Sequence, residues 1–186
     1  MPDARDIHLR FRTLAVLPIV LFLPTLVSFA VAEHGVVWPE YTGVLFHLAI
    51  LFLIARMEAP VWAKAAGYSW ITLDVLTGIL AINGVAHDLT WPIRLGGHVF
   101  AGIWIAVSSA FAHRPVIRIL GALTGVWLAG YSFVGNVAPE EALYPAGLLI
   151  VVWFGALALR YESTVRPPDT AADLHLLDAR RIPDHP

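Results

Sequence analysis

Six long runs of apolar residues, separated by short polar breaks, organise the chain. They cover residues 13–32, 39–55, 61–86, 93–112, 115–134 and 142–159. Each approaches the ~20 apolar residues that an α-helix needs to cross a hydrocarbon core. The pattern predicts an all-α fold, an integral membrane bundle of six transmembrane helices. The breaks are short, so consecutive helices are expected to run antiparallel and side by side. Three regions follow: an N-terminal segment over 1–12, a transmembrane domain over 13–160 and a polar tail over 161–186. Pro18 and Pro24 are expected to bend the first helix. The first run also resembles a secretory leader, with basic residues before it and Ala30-Val31-Ala32 at its end, and removal would leave five spans. It is read here as a retained span.

The polar breaks carry an asymmetric charge. Arg5, Arg10 and Arg12 precede the first run, Arg56 and Lys64 lie between the second and third, and Arg114 and Arg118 fall between the fourth and fifth. Arg160, Arg166, Arg180 and Arg181 follow the sixth. With six spans, eleven of the twelve basic residues share one side, and Arg94 alone falls on the other with Glu33, Glu40, Asp88, Glu140 and Glu141. Basic loops stay in the cytoplasm, so both termini are expected there. One Lys among twelve basic residues suits a high-GC bacterial source, and the expected location is a bacterial inner membrane.

Composition narrows the chemistry. The 186 residues are 58% hydrophobic and 14% charged, with a mean hydropathy of +0.71. A soluble domain carries about 25% charged residues, so the deficit points to lipid as the solvent. The absence of cysteine excludes disulfides, thiolate metal sites, iron–sulfur clusters and covalently attached haem. A net charge of −2 argues against a nucleic-acid partner. The Gly-x-Ser-x-Gly nucleophile pattern is missing, because Gly130-Tyr131-Ser132 runs into Phe133. Neither a phosphate-binding glycine loop nor His-Glu-x-x-His occurs. No internal repeat supports an inverted-repeat transporter. In the tail, 173–180 has the alternation of a short amphipathic turn, which would suit docking to a partner or to the membrane surface.

Against this background, polar residues inside the runs carry the functional signal. Asp74 lies near the middle of the third run, where a carboxylate is costly unless a partner or water reaches it. With no partner, the neutral protonated acid is the form to expect there. Asp74 shares a helical face with Ala63, Gly67, Trp70, Thr77, Gly78 and Ala81, and His98 shares one with Arg94, Ala101, Gly102, Ser109 and Ala112. Gly121, Gly125 and Ala129 repeat every four residues on the fifth run. Small residues let membrane helices approach closely, so spans three, four and five are expected to pack with Asp74 and His98 facing inward.

At ~1.5 Å per residue, His34 and His87 lie at the outer surface, His98 about a turn and a half down, His47 about two turns and Asp74 roughly three. Asn83 falls between His87 and Asp74. Below Asp74 only Ser109, Tyr68 and Thr72 are polar, so the series reads as a pocket open to the outside and bounded mainly by spans two to five. Trp38, Trp62 and Trp91 are read as interface anchors.

The function expected first is binding or transformation of a small apolar molecule, such as a lipid, an isoprenoid or a quinone. Asp74, His47 and His98 are the candidate catalytic groups. Trp70, Thr77, Asn83, Arg94, Trp104 and Tyr131 are the candidate ligand-binding residues, with Phe46, Phe100, Trp127 and Tyr144 as further aromatic lining. No cofactor is specified by the sequence. Other readings are a b-type haem subunit with His47 and His98 as axial ligands, an outer metal site from His34, His87, Asp88 and His98, proton-coupled transport through Asp74, and a non-catalytic accessory subunit. The partners expected are the lipid bilayer, the apolar molecule, and a partner protein or second copy bound through the spans or the tail.

Overall fold

The computed structural model describes residues 11–31 and 36–160. Among them are six α-helices and no strand: α1 (Phe11–Val31), α2 (Trp38–Arg56), α3 (Val61–Ile82), α4 (His87–Ala110), α5 (Pro115–Ser132) and α6 (Tyr144–Arg160). A single 3-10 turn, Glu140–Leu143, leads into α6. His34 and the amphipathic stretch 173–180 lie outside the described residues.

Local sequence explains the boundaries. Pro39 and Pro115 stand in the first turns of α2 and α5, where the missing N–H costs nothing. Helix α3 stops earlier than its apolar run, because the chain turns at Gly84, whose φ of 81° is open only to a residue without Cβ strain. Helix α4 starts six residues before the apolar run at 93, taking in the polar turn His87-Asp88-Leu89-Thr90 and holding Pro92 inside. Apolar periodicity misses this first turn, because His87, Asp88 and Leu89 are exposed and its one buried residue is the polar Thr90. Glu140 and Glu141 lie on the 3-10 turn and not in α6 itself.

Each helix packs against its neighbours in sequence, and α6 closes onto α1. The result is a ring of six in chain order. No pair across the ring comes close backbone to backbone among the described residues. Thus α3 and α5 are not in contact, unlike the three-way packing expected from their small-residue stripes. Those stripes serve the pairwise seams. A Cβ on Gly125 would lie 2.5 Å from the Gly102 carbonyl oxygen, and one on Gly67 would lie 2.9 Å from the Trp104 ring.

With no central helix, large side chains fill the axis. Trp70, Trp104, Trp153, Phe154, Ile50, Leu53 and Ile54 are essentially inaccessible. Their aromatic members, with Phe46 and His47, form a closed circuit of ring contacts. Centroid separations run His47–Trp70 5.5 Å, Trp70–Trp104 5.8 Å, Trp104–Trp153 5.6 Å, Trp153–Phe154 4.9 Å, Phe154–Phe46 6.1 Å and Phe46–His47 4.8 Å. Edge-to-face and tilted pairs at such separations contribute beyond their buried area.

The outer faces are apolar too. Val20 and Val27 on α1, Leu48 and Phe52 on α2, Leu76 and Ile79 on α3, Ile119 and Val126 on α5, and Leu148 and Val152 on α6 are all exposed. Four helices, α1 to α4, and the segment Glu140–Leu159 are long and apolar enough to cross a membrane. A surface this apolar is a liability in water and suits hydrocarbon. These are the marks of a multi-pass membrane protein.

The α4–α5 seam offers a direct test. Gly125→Val should lower stability by ~1–3 kcal/mol through overpacking. Gly130→Ala on the same helix, where a Cβ meets nothing within 4 Å, should leave stability unchanged or slightly raised. Thermal unfolding of both variants in one detergent reads the difference.

Candidate functional site

A cavity of about 320 Å³ opens in the half of the ring that holds the α2, α4 and α6 N-termini. Helical spacing places its polar walls. Glu40, Gly43 and His47 recur on one face of α2, Trp70 and Asp74 on α3, and His87, Trp91, Arg94 and His98 on α4. Helices α1 and α6 complete the wall with Phe22, Thr25 and Ser28, and with Tyr144, Gly147 and Ile150. Spans two to five supply most of this wall, as expected, and α1 and α6 add to it. Ring closure brings α1 and α6 to the same axis.

At its deep end Asp74 is 2% exposed. Its Oδ2 lies 2.9 Å from His47 Nε2 and accepts the Trp70 indole N–H at 2.5 Å. The other His47 nitrogen, Nδ1, is 2.7 Å from the Gly43 carbonyl oxygen. A carbonyl can only accept, so Nδ1 carries a hydrogen. A hydrogen bond between Nε2 and Oδ2 then needs one further proton. It makes either a carboxylic acid donating to a neutral imidazole, or a carboxylate facing an imidazolium. The site is neutral overall in both forms. An isolated, partnerless carboxyl, the condition for a simply neutral Asp74, is not what the fold provides.

Among the described residues Asp74 Oδ1 has no hydrogen-bond partner, and neither do the buried His98 Nδ1 and Trp104 Nε1. Oδ1 rests against α4 where Gly97 offers no side chain, since a Cβ there would lie 2.6 Å from it. His98 and Arg94 lie within electrostatic reach of Asp74. His98 meets the edge of Trp91 at 6.5 Å and lines the cavity, but makes no hydrogen bond to Asp74.

Two ion pairs cross the mouth. Arg94 reaches Glu40 through both terminal nitrogens, at 3.2 Å and 2.6 Å, in a bidentate fork that ties α4 to the non-adjacent α2. His87 Nε2 sits 2.9 Å from Glu140 Oε1 on the 3-10 turn. A second, outer hollow shares Glu40, His87, Trp91, Arg94, Glu140 and Tyr144 with the cavity and adds Thr77 and Glu141. It forms a vestibule with three carboxylates on its wall.

The other expected site residues are placed differently. Thr77 is buried, gives its hydroxyl to the Leu73 carbonyl and borders only the vestibule. Asn83 is exposed and turns back to the Ile79 carbonyl, as a helix-end residue does. Trp104 lies in the aromatic circuit beneath the cavity and outside its lining. Tyr131 is also outside the lining, packs on the edge of Trp91 and aims its hydroxyl at the Pro139 carbonyl. Phe100 and Trp127 face outward. Trp91, read as an interface anchor, lines the cavity and stacks on His87 at 5.3 Å. Its spacing with His87, Arg94 and His98 was the available signal. Glu40 was visible as an outer charge, but nothing in the sequence joined it to Arg94.

Two other readings meet this geometry. A haem bound through His47 Nε2 would have to displace Asp74, while the Nδ1 bond to the Gly43 carbonyl could stay. Among the described residues no group of three or more His, Asp or Glu could hold a metal ion. No protein-family model, curated protein or solved structure matches the chain.

The His47–Asp74 bond can be measured by a double-mutant cycle. His47→Leu alone leaves the buried carboxyl unmatched and should cost ~3–5 kcal/mol. Adding Asp74→Leu should recover a large part of that loss. Strictly additive losses in detergent unfolding would mean the two side chains are not coupled.

Proposed function

We propose that this chain is a six-span membrane bundle with both ends in the cytoplasm, and that its outer cavity binds or transforms a small apolar molecule of lipid, isoprenoid or quinone type. The observation that carries this reading is the Asp74–His47 pair at the floor of a largely apolar cavity, 2.9 Å apart, a spacing across which one proton can move. A few convergent polar groups in a concave apolar wall are what a small-molecule site needs. The movable proton is what acid–base chemistry on a bound carbonyl, enol or alkene would draw on.

The sixth span is supported by α5. It stands between α4 and α6 in the ring and turns Ile119, Leu123 and Val126 outward, like its neighbours. The orientation rests on the one-sided basic residues. Transport is the weaker reading. Beneath Asp74 the axis is closed by Trp70, Trp104 and Trp153, the Ser109 hydroxyl is taken by the Trp153 N–H, and Tyr68 and Thr72 face outward.

Topology can be tested because the chain has no cysteine. In intact bacterial cells, Asp88→Cys should react with a membrane-impermeant maleimide and His113→Cys should react only after lysis. The reverse pattern removes the orientation. Ligand binding can be tested by lipid analysis of the purified protein. The natural chain should carry a small apolar molecule in near-stoichiometric amount. Gly43→Phe, which grows from an open position on the cavity wall, should lose that molecule and keep its thermal stability. Equal lipid content in the two proteins would sink the proposal.

A further inference from the structure

We infer that the molecule bound in this cavity has an uncharged head bearing a hydroxyl or carbonyl oxygen, and that this head docks between His98 and the free oxygen of Asp74. The inference rests on the reading above and narrows it from apolar molecules in general to one class of headgroup.

The argument starts from which polar atoms are already spent. Both His47 nitrogens are engaged, Nδ1 by the Gly43 carbonyl and Nε2 by Asp74. Asp74 Oδ2 takes both His47 and Trp70. His47 therefore acts through Asp74 and offers nothing to a ligand. Asp74 Oδ1 and His98 Nδ1 remain, both buried and both without a partner, on two residues that line one cavity. A buried polar atom left unmatched costs ~1–3 kcal/mol, so two on residues that line one cavity are where a small side-chain shift would admit a polar head. Neutral imidazole presents one donor and one acceptor, and a carboxyl oxygen accepts. A hydroxyl both donates and accepts and can match the two together. A carbonyl can match the donating form of His98.

Charge then separates the headgroups. Among the described residues the only Arg or Lys on the cavity lining is Arg94, and its guanidinium is held bidentately by Glu40. His87 is held by Glu140, and Glu141 adds a third carboxylate to the vestibule. A phosphate or carboxylate head would pass acidic side chains and arrive with no free cation to receive it. A cationic head fares no better at the floor, because Asp74 Oδ2 is already taken by His47 and Trp70. Desolvating either charge without a partner is far more costly than burying a hydroxyl that is hydrogen-bonded.

The experiment holds the tail constant and varies the head. The full-length protein, purified in one non-ionic detergent, is offered farnesol, farnesyl phosphate, farnesylamine and farnesene in competition. Bound species are counted by native mass spectrometry. Farnesol should exceed the phosphate and the amine by at least about tenfold. His98→Phe should lower farnesol about tenfold, the loss of roughly one buried hydrogen bond, and leave farnesene unchanged as the sign that the cavity is intact. Phosphate or amine binding as well as farnesol overturns the headgroup assignment while leaving the cavity as a ligand site. Farnesol favoured equally by the natural protein, His98→Phe and Asp74→Asn overturns the docking point. Failure of all four probes removes the apolar-ligand reading itself, and this inference with it.

Discussion

Six helices packed in chain order around a ring enclose an axis that no backbone occupies, and everything else in this structure follows from how that axis is filled. A pairwise helix seam can be made with glycine and alanine, as at Gly102 and Gly125. The axis cannot, because helices on opposite sides stand too far apart to touch. Tryptophan and phenylalanine cover that span at low conformational cost, and the circuit through Trp70, Trp104, Trp153, Phe154, Phe46 and His47 closes it. On the outer side the filling stops, and the cavity begins where it stops. Asp74 sits at that boundary, with Trp70 belonging to both the plug and the carboxylate's hydrogen bonds.

Charge is handled by pairing at each depth. Arg94 meets Glu40, His87 meets Glu140, and His47 meets Asp74. The pairs are unequal. The His87–Glu140 side chains are more than half exposed, at 57% and 54%, so their pairing contributes ~0–1 kcal/mol and opens readily. The Arg94–Glu40 fork is about a quarter exposed and bidentate, so it holds α2 and α4 together over the mouth more firmly. The easier way past the rim is therefore on the side of the 3-10 turn. The floor pair is almost dry, and there the proton that a hydrogen bond between Nε2 and Oδ2 needs, more than any ion pair, keeps the site neutral.

This neutrality gives the cavity its chemical character. A pocket with a free guanidinium at its mouth would select anionic lipids, and one with an unpaired carboxylate would select cations. Here both are cancelled, and what remains is apolar and aromatic wall with two unmatched atoms near its floor. The same cancellation explains how an ionisable residue can stand mid-helix without a water-filled path beneath it. The plug fills the axis beneath Asp74, and His47 gives Asp74 the partner that water would otherwise supply.

Much of this was legible in the residues themselves. Apolar run length determines helix number and class, since a backbone in hydrocarbon must satisfy its own hydrogen bonds. Helical spacing determines that Trp70 and Asp74 share a face, and that His87, Trp91, Arg94 and His98 do. Counting from the helix ends put His98, His47 and Asp74 in a descending series toward the midplane, which is why an Asp/His pair was expected. Thr77 and Asn83 bond back to carbonyls of their own helix, and spacing alone cannot reveal that. The tertiary structure alone decided which faces meet across the axis. Ring closure by α6 on α1 brought Thr25, Ser28 and Tyr144 to the cavity, joined Arg94 to Glu40 across 54 residues, and gave Asp74 to His47 and not to His98. Periodicity acts within a helix, whereas the rotation of each helix about its own axis is set by packing against its two neighbours, and that information is spread over all six.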